Sequence, residues 1–161
     1  MPTDELPRST ETCPGCGAVL VPLTEAGPSH PGASISCARL FEVTIGGLRE
    51  EAPTSPATAA VVALADATYD AQHPVPADDV RLQAALDHLD VSPGTHADGM
   101  ADRMADRMPD AWRTTIADVA ADLDVIDLTV LVQSWARAVR EDWRAGLTTR
   151  DNGTNSAPTR H

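Results

Sequence analysis

From Ser36 onward, apolar residues recur at helical spacing. Cys37, Leu40, Phe41, Ile45 and Leu48 fall on one face of a first helix that Ser36 is placed to cap, with Gly46 and Gly47 expected to interrupt it. After the proline-rich break "EEAPTSPAT", residues 57–72 repeat the pattern with Val61, Leu64, Ala65, Thr68 and Tyr69 on one side, and Pro74 stops the run. Residues 78–90 form a third amphipathic segment whose acids lie at its N-terminus, where the helix dipole favours them. A short helix is predicted around "TTIADVAADL". A strong one follows from Asp127 to Ala145, with Leu128, Leu131, Val132, Trp135, Val139 and Trp143 as its apolar face. Between these lies "MADRMADRM", which as a helix would stack Met100, Met104 and Met108, pair Arg103 with Asp106, and end at Pro109.

Before Ser36 the periodicity is lost. Residues 1–12 are polar with two prolines and read as a flexible leader, and residues 150–161 read as a disordered tail, which leaves 13–149 as a single domain. From Cys13 to Ser34 the chain is rich in Gly and Pro. It holds one apolar run, "AVLVPL", expected as a strand or half of a small hairpin. The fold class predicted is mainly α: an N-terminal zinc knuckle, treble-clef-like, packed on about five or six helices.

Composition narrows the chemistry. Aromatic residues are 3% of the 161, so the core rests on Ala, Val and Leu and has little aromatic bulk to bury. Twelve basic residues stand against 24 acidic ones, a net charge of −12, and every basic residue is Arg. That balance, with arginines scattered among acids, argues against nucleic acid or an anionic membrane as partner, because both need a positive footprint. The lack of Lys rules out Schiff-base and P-loop lysine chemistry. No apolar run approaches the roughly 20 residues of a membrane span, and "MPTDELPRST" lacks the blocks of a signal peptide, so a cytoplasmic location is expected. Three cysteines in a reducing compartment do not make a disulfide framework.

The candidate chemistry lies in "ETCPGCGAVL". A Cys-x-x-Cys turn with Pro and Gly inside and Gly after it has the shape of a zinc knuckle. A redox pair would sit inside a βαβ pattern, and none surrounds this one. Cys13 and Cys16 supply two ligands. Cys37, in the first turn of a helix where the dipole stabilises a thiolate, is the natural third. The fourth is His30, in the turn before Cys37, or His73, at the end of the second helix. His73 is favoured because it would tie a distant helix to the knuckle, with Tyr69 one turn earlier able to pack against it. Acidic groups such as Asp118, Asp122, Asp124, Glu141 and Asp142 decorate solvent faces, Trp135 and Trp143 read as core, and His88 and His96 are isolated.

"CPGCG", then Cys37 with Phe41, "DATYDAQHP", "TIADVAA" and "VQSWARAVREDW" together resemble a family of uncharacterised bacterial proteins known only as a domain of unknown function. The resemblance covers most of residues 13–145, and its most specific elements are the knuckle and the Tyr-x-x-Gln-His-Pro ending at Tyr69, Gln72, His73 and Pro74. It implies that the two knuckle cysteines, the later cysteine and that histidine are shared among members, while the position of His30 varies. "MADRMADRM" has no counterpart in it and looks like an insertion. The resemblance implies no activity.

Two functional classes follow. In the first, a closed Cys3His zinc of Cys13, Cys16, Cys37 and His73 is structural, and the protein acts by binding an unidentified protein or small molecule. In the second, zinc on the three cysteines keeps a water, and His73 or Glu42 serves as acid or base in a hydrolase or deaminase-like reaction. The absence of a His-x-Glu element weighs against the second. A zinc ribbon for nucleic acid is disfavoured by charge.

Overall fold

The computed structural model describes residues 9–23, 27, 29–75, 77–92 and 107–153. Two-residue strands β1 (Glu11–Thr12) and β2 (Val19–Leu20) pair antiparallel, Glu11 opposite Leu20 and Thr12 opposite Val19. Five α-helices follow among the described residues: α1 (Ile35–Glu51), α2 (Pro56–Gln72), α3 (Asp79–His88), α4 (Ile116–Asp122) and α5 (Leu128–Gly153), with a short 3₁₀ turn at Ala52–Thr54 between the first two. The expected cysteine knuckle on a helical bundle is what forms. Among the described residues, regular structure spans Glu11 to Gly153. The Met100, Met104, Arg103 and Asp106 expectations, and His96, lie outside the described residues.

Local sequence explains most of the boundaries. Ser55 caps α2 by accepting from Thr58 N at 3.2 Å, with Pro56 in the first helical position where its missing N–H costs nothing. Thr115 and Asp118 form a reciprocal capping box on α4, and Asp127 accepts from Thr129 N at 2.9 Å to start α5. Two expectations for α1 are corrected. Its cap is Ser34, not Ser36: Ser34 has the extended backbone a cap needs and accepts from Cys37 N at 3.1 Å. Ser36 is instead buried, accepting from Leu23 N at 3.0 Å and donating to Glu11 at 2.7 Å, so it pins the hairpin to α1. Nor do Gly46 and Gly47 interrupt the helix. A glycine costs only about 1 kcal/mol in a helix interior, and tertiary packing on both sides carries α1 through.

Helix α2 is the centre of the molecule: α1, α3 and α5 all pack on it, while α4 joins α1 to α5. The predicted apolar face of α5 is the one that docks, with Leu131, Val132, Trp135, Val139 and Trp143 buried. Both indoles are anchored at the end of α2. Trp135 Nε1 donates to Gln72 Oε1 at 3.0 Å, and Trp143 Nε1 donates to the Ala71 carbonyl at 3.2 Å. Gln72 Nε2 in turn donates to the Thr114 carbonyl at 2.8 Å. In the last turn of α2 the Ala71 carbonyl is thus satisfied by the Trp143 indole, and the Gln72 side chain is bonded at both ends. This is the turn that carries His73.

Candidate metal centre

Three segments meet at one point. The hairpin turn contributes Cys13 and Cys16, the first turn of α1 contributes Cys37, and the C-cap of α2 contributes His73. Their relative exposures are 1%, 4%, 0% and 1%. The three sulfurs and one imidazole nitrogen all lie within 4.8 Å of one another, a cluster able to hold a metal ion. Two of its edges test the fit. Sulfur at about 2.3 Å and nitrogen at 2.0–2.1 Å from a tetrahedral zinc stand about 3.8 Å (S–S) and about 3.5 Å (S–N) apart. Cys16 Sγ lies 3.8 Å from Cys37 Sγ, and Cys37 Sγ lies 3.5 Å from His73 Nε2.

The choice between the two histidines follows from what their ring nitrogens already do. His73 Nδ1 donates to the Tyr69 carbonyl at 2.6 Å, which places the proton on Nδ1 and turns the Nε2 lone pair toward the sulfurs. The residue is therefore both a helix cap and a member of the cluster. His30 has neither nitrogen to spare: Nδ1 accepts from Gly32 N at 3.1 Å, so Nε2 carries the hydrogen and donates to Asp70 at 3.0 Å. Glu42 is not among the sulfurs either. It lies on α1 beside Arg49, 3.4 Å from the guanidinium.

Donors surround the sulfurs. Ser34 N points at Cys13 Sγ from 3.5 Å and the Tyr69 hydroxyl at Cys37 Sγ from 3.4 Å. Among themselves the three thiols do not all ionise at neutral pH. Hydrogen bonds from Cys16 and then Cys37 hold Cys13 far below the ordinary thiol range despite burial. The bond to Cys13 pushes Cys16 up to about 12, and bonds to Cys13 and Cys16, with burial, push Cys37 higher still. A divalent cation removes that conflict, since it supplies the charge that lets several thiolates share one buried volume.

Of the residues that make this convergence possible, only the glycines of the Cys-x-x-Cys turn, Gly15 and Gly17, were legible in the sequence. A Cβ on Gly15 would stand 2.4 Å from His73 Cδ2 and 2.6 Å from the Gly32 carbonyl oxygen, and one on Gly32 would stand 2.4 Å from the His73 carbonyl oxygen. Both loops approach the end of α2 more closely than any side chain allows. Gly17, at φ +74°, closes the turn in the left-handed region, its N–H donating to the Cys13 carbonyl at 2.9 Å. Trp112 Nε1 donates to the Gly15 carbonyl at 3.2 Å, fixing the knuckle from the α4 side. The glycines inside and after the Cys-x-x-Cys motif were the available signal; Trp112 and Gly32 gave none.

Gly15→Ala therefore tests the packing of the site directly. Overpacking of this kind costs about 1–3 kcal/mol, and the nearest atoms belong to His73 and to backbone. The variant should melt several degrees below wild type and bind metal less tightly, measured by thermal denaturation and by competition with a chromophoric chelator. An unchanged melting curve and affinity would mean that the knuckle does not seat against His73 this closely.

Fold and site together define a helical protein organised around a buried cluster of three cysteines and one histidine. The chain belongs to a family of unknown function, DUF5946, whose model matches residues 11–144. That span runs from the first residue of β1 through Trp143, so it takes in every element that encloses the cluster. No curated protein and no solved structure matches the chain.

Proposed function

We propose that Cys13, Cys16, Cys37 and His73 bind one Zn²⁺ as a closed structural site, and that this small protein acts through binding rather than catalysis. The observation that carries the reading is the number and burial of the donors. Four protein side chains complete a tetrahedron, and all are at most 4% exposed, so no coordination position is left for a water or substrate. Thiolate-rich donor sets select zinc among the common divalent cations, with magnesium and calcium preferring oxygen. Bound zinc supplies cross-linking: one ion joins the hairpin, α1 and α2. Tyr69 supports two of the donors at once, Cys37 through its hydroxyl and His73 through its carbonyl.

A cytoplasmic location fits a chain that keeps three cysteines for a metal, and no helix among the described residues is long and apolar enough to cross a membrane. The acidic surface disfavours nucleic acid as partner.

Elemental analysis with X-ray absorption at the zinc edge tests the site, on protein purified without chelator and on His73→Ala. The expected result is one zinc per chain bound by three sulfurs and one nitrogen, with the nitrogen lost in the variant. Three sulfurs and an oxygen, indifferent to His73, would overturn the closed site in favour of an open one suited to hydrolysis. Absence of metal would remove the proposal altogether.

A further inference from the structure

Tyr69 has a second neighbour besides the cluster. A cavity of about 420 Å³ opens between α1, α2 and α3, within the range of small-molecule sites. Ala38, Phe41 and Tyr69 supply its apolar lining, and two charged clusters supply the rest. In one, Asp66 grips Arg49 through both oxygens at 2.6 and 3.1 Å, with Glu42 at 3.4 Å. In the other, a single oxygen of Asp70 receives His30 at 3.0 Å and Arg81 at 2.9 Å.

These pairs leave valences of both signs unused on residues that line the cavity. The second oxygens of Asp70 and Glu42, and every N–H of Arg81 except those on its paired terminal nitrogen, have no partner among the described residues. The Asp70 carboxylate is held in place by its contacts with His30 and the Arg81 guanidinium. His30 accepts the Gly32 N–H at Nδ1 and bonds Asp70 through Nε2. The lining therefore presents three carboxylates and two guanidiniums. Half-exposed ion pairs contribute little to stability, so folding alone does not account for gathering these charges round one concavity.

The charge pattern restricts the ligand. A simple anion would meet Arg81 but face Asp70 and Glu42, whereas a simple cation would meet the carboxylates but face two guanidiniums. A molecule with an ammonium and a carboxylate a few bonds apart matches both. We propose that this cleft binds a small zwitterion of the free α-amino-acid class, its ammonium on Asp70 and Glu42, its carboxylate on Arg81, and its side chain against Ala38, Phe41 and Tyr69. The inference is independent of which metal the neighbouring cluster holds.

The test uses the full-length, metal-loaded protein and titration calorimetry with individual L-amino acids. The best binder is then compared with its N-acetyl and carboxamide forms, with inorganic phosphate and with putrescine. Saturable one-to-one binding of at least one free amino acid is expected, lost on blocking either end and weakened by about tenfold or more in Arg81→Gln, the scale of a charge-assisted hydrogen bond. Arg81 lies on the exposed first turn of α3, so its variant should keep the wild-type melting curve and metal content. Should it not, Glu42→Gln carries the same expectation from the ammonium side. No binding by any amino acid, equal binding of the blocked forms, or preference for phosphate or putrescine would each overturn the proposal.

Discussion

Cys37→Ser is expected to release the metal and to abolish cooperative folding of the N-terminal third of the chain. The hairpin has two-residue strands, and among the described residues from 11 to 34 only Cys13, Cys16 and Ala18 are buried apolar side chains. So little buried area cannot offset the entropy of ordering the segment, at about 1–2 kcal/mol per residue. With the proposed closed site, the metal supplies the difference. Structural zinc in small peptides is worth about 10–16 kcal/mol near neutral pH, comparable with the whole stability of a typical domain, about 5–15 kcal/mol.

Helices α2, α3 and α5 have their own contacts, including Trp135 and Trp143, and should retain part of their helicity. Losing even 5 kcal/mol, at about 2–4 °C per kcal/mol for a chain of this size, lowers the melting point by about 10–20 °C. Circular dichroism melts with limited proteolysis, on Cys37→Ser and on chelator-treated wild type, measure both parts. His30→Ala should keep the metal, because His30 touches Asp70 and Gly32 rather than the sulfurs. A metal-depleted protein with full helix content and an unchanged melting point would contradict a structural role.

Gln72→Leu is expected to be the most damaging change that leaves all four donors in place. The Gln72 side chain is fully buried and bonds at both ends, accepting from Trp135 Nε1 at 3.0 Å and donating to the Thr114 carbonyl at 2.8 Å. Leucine fits the volume but strands one buried donor, Trp135 Nε1, and one half-buried acceptor, the Thr114 carbonyl. At about 1–3 kcal/mol for each unsatisfied group, the expected loss is about 2–6 kcal/mol. Trp135→Phe removes the indole donor and part of a fully buried ring, leaving Gln72 Oε1 unpaired beside a cavity, and is destabilising through both. In the double variant the two changes should fall short of their sum by about 1 kcal/mol or more, since residues in direct contact are not additive. Urea unfolding of the metal-loaded proteins measures the cycle. Strict additivity would show that the glutamine and the indole do not share a bond.

The motif Tyr-x-x-Gln-His-Pro thereby acquires a physical meaning. Tyr69 and His73 are one turn apart on the side of α2 that faces the cluster, and their rings stack at 3.9 Å. Gln72 reaches α5 and the strand-like stretch before α4. Pro74 follows where the helix must stop. One turn of helix thus connects the metal cluster to the C-terminal half of the core.

Much of this could be read in the chain by itself. The 3.6-residue period placed α2 and α5 and named most of the face that α5 buries, because an outer helix hides one stripe. On α2, packed on several sides, it named Ala65, Thr68 and Tyr69 but missed Val62, Ala67, Ala71 and Gln72, while Val61 and Leu64 are only half-buried. Cysteine spacing and the dipole argument named Cys13, Cys16 and Cys37. The choice of His73 over His30 rested on the cross-link it would make and was supported by a resemblance; the reason His30 is excluded became visible only in three dimensions, where Gly32 and Asp70 occupy both its nitrogens. The cap of α1 was misplaced by two residues, because Ser34 and Ser36 are chemically equivalent caps until the path of the hairpin decides which is free and which must bridge to Glu11.

Local sequence, then, determined the elements and the donor types, since period, capping chemistry and thiolate affinity act over a few residues. Tertiary structure decided the remainder: which histidine joins the sulfurs, why Gly15 and Gly32 have no side chain, and which charges of α1, α2 and α3 face one another across a cleft. Those facts depend on distances between segments far apart in the chain, and such distances exist only once the core has closed.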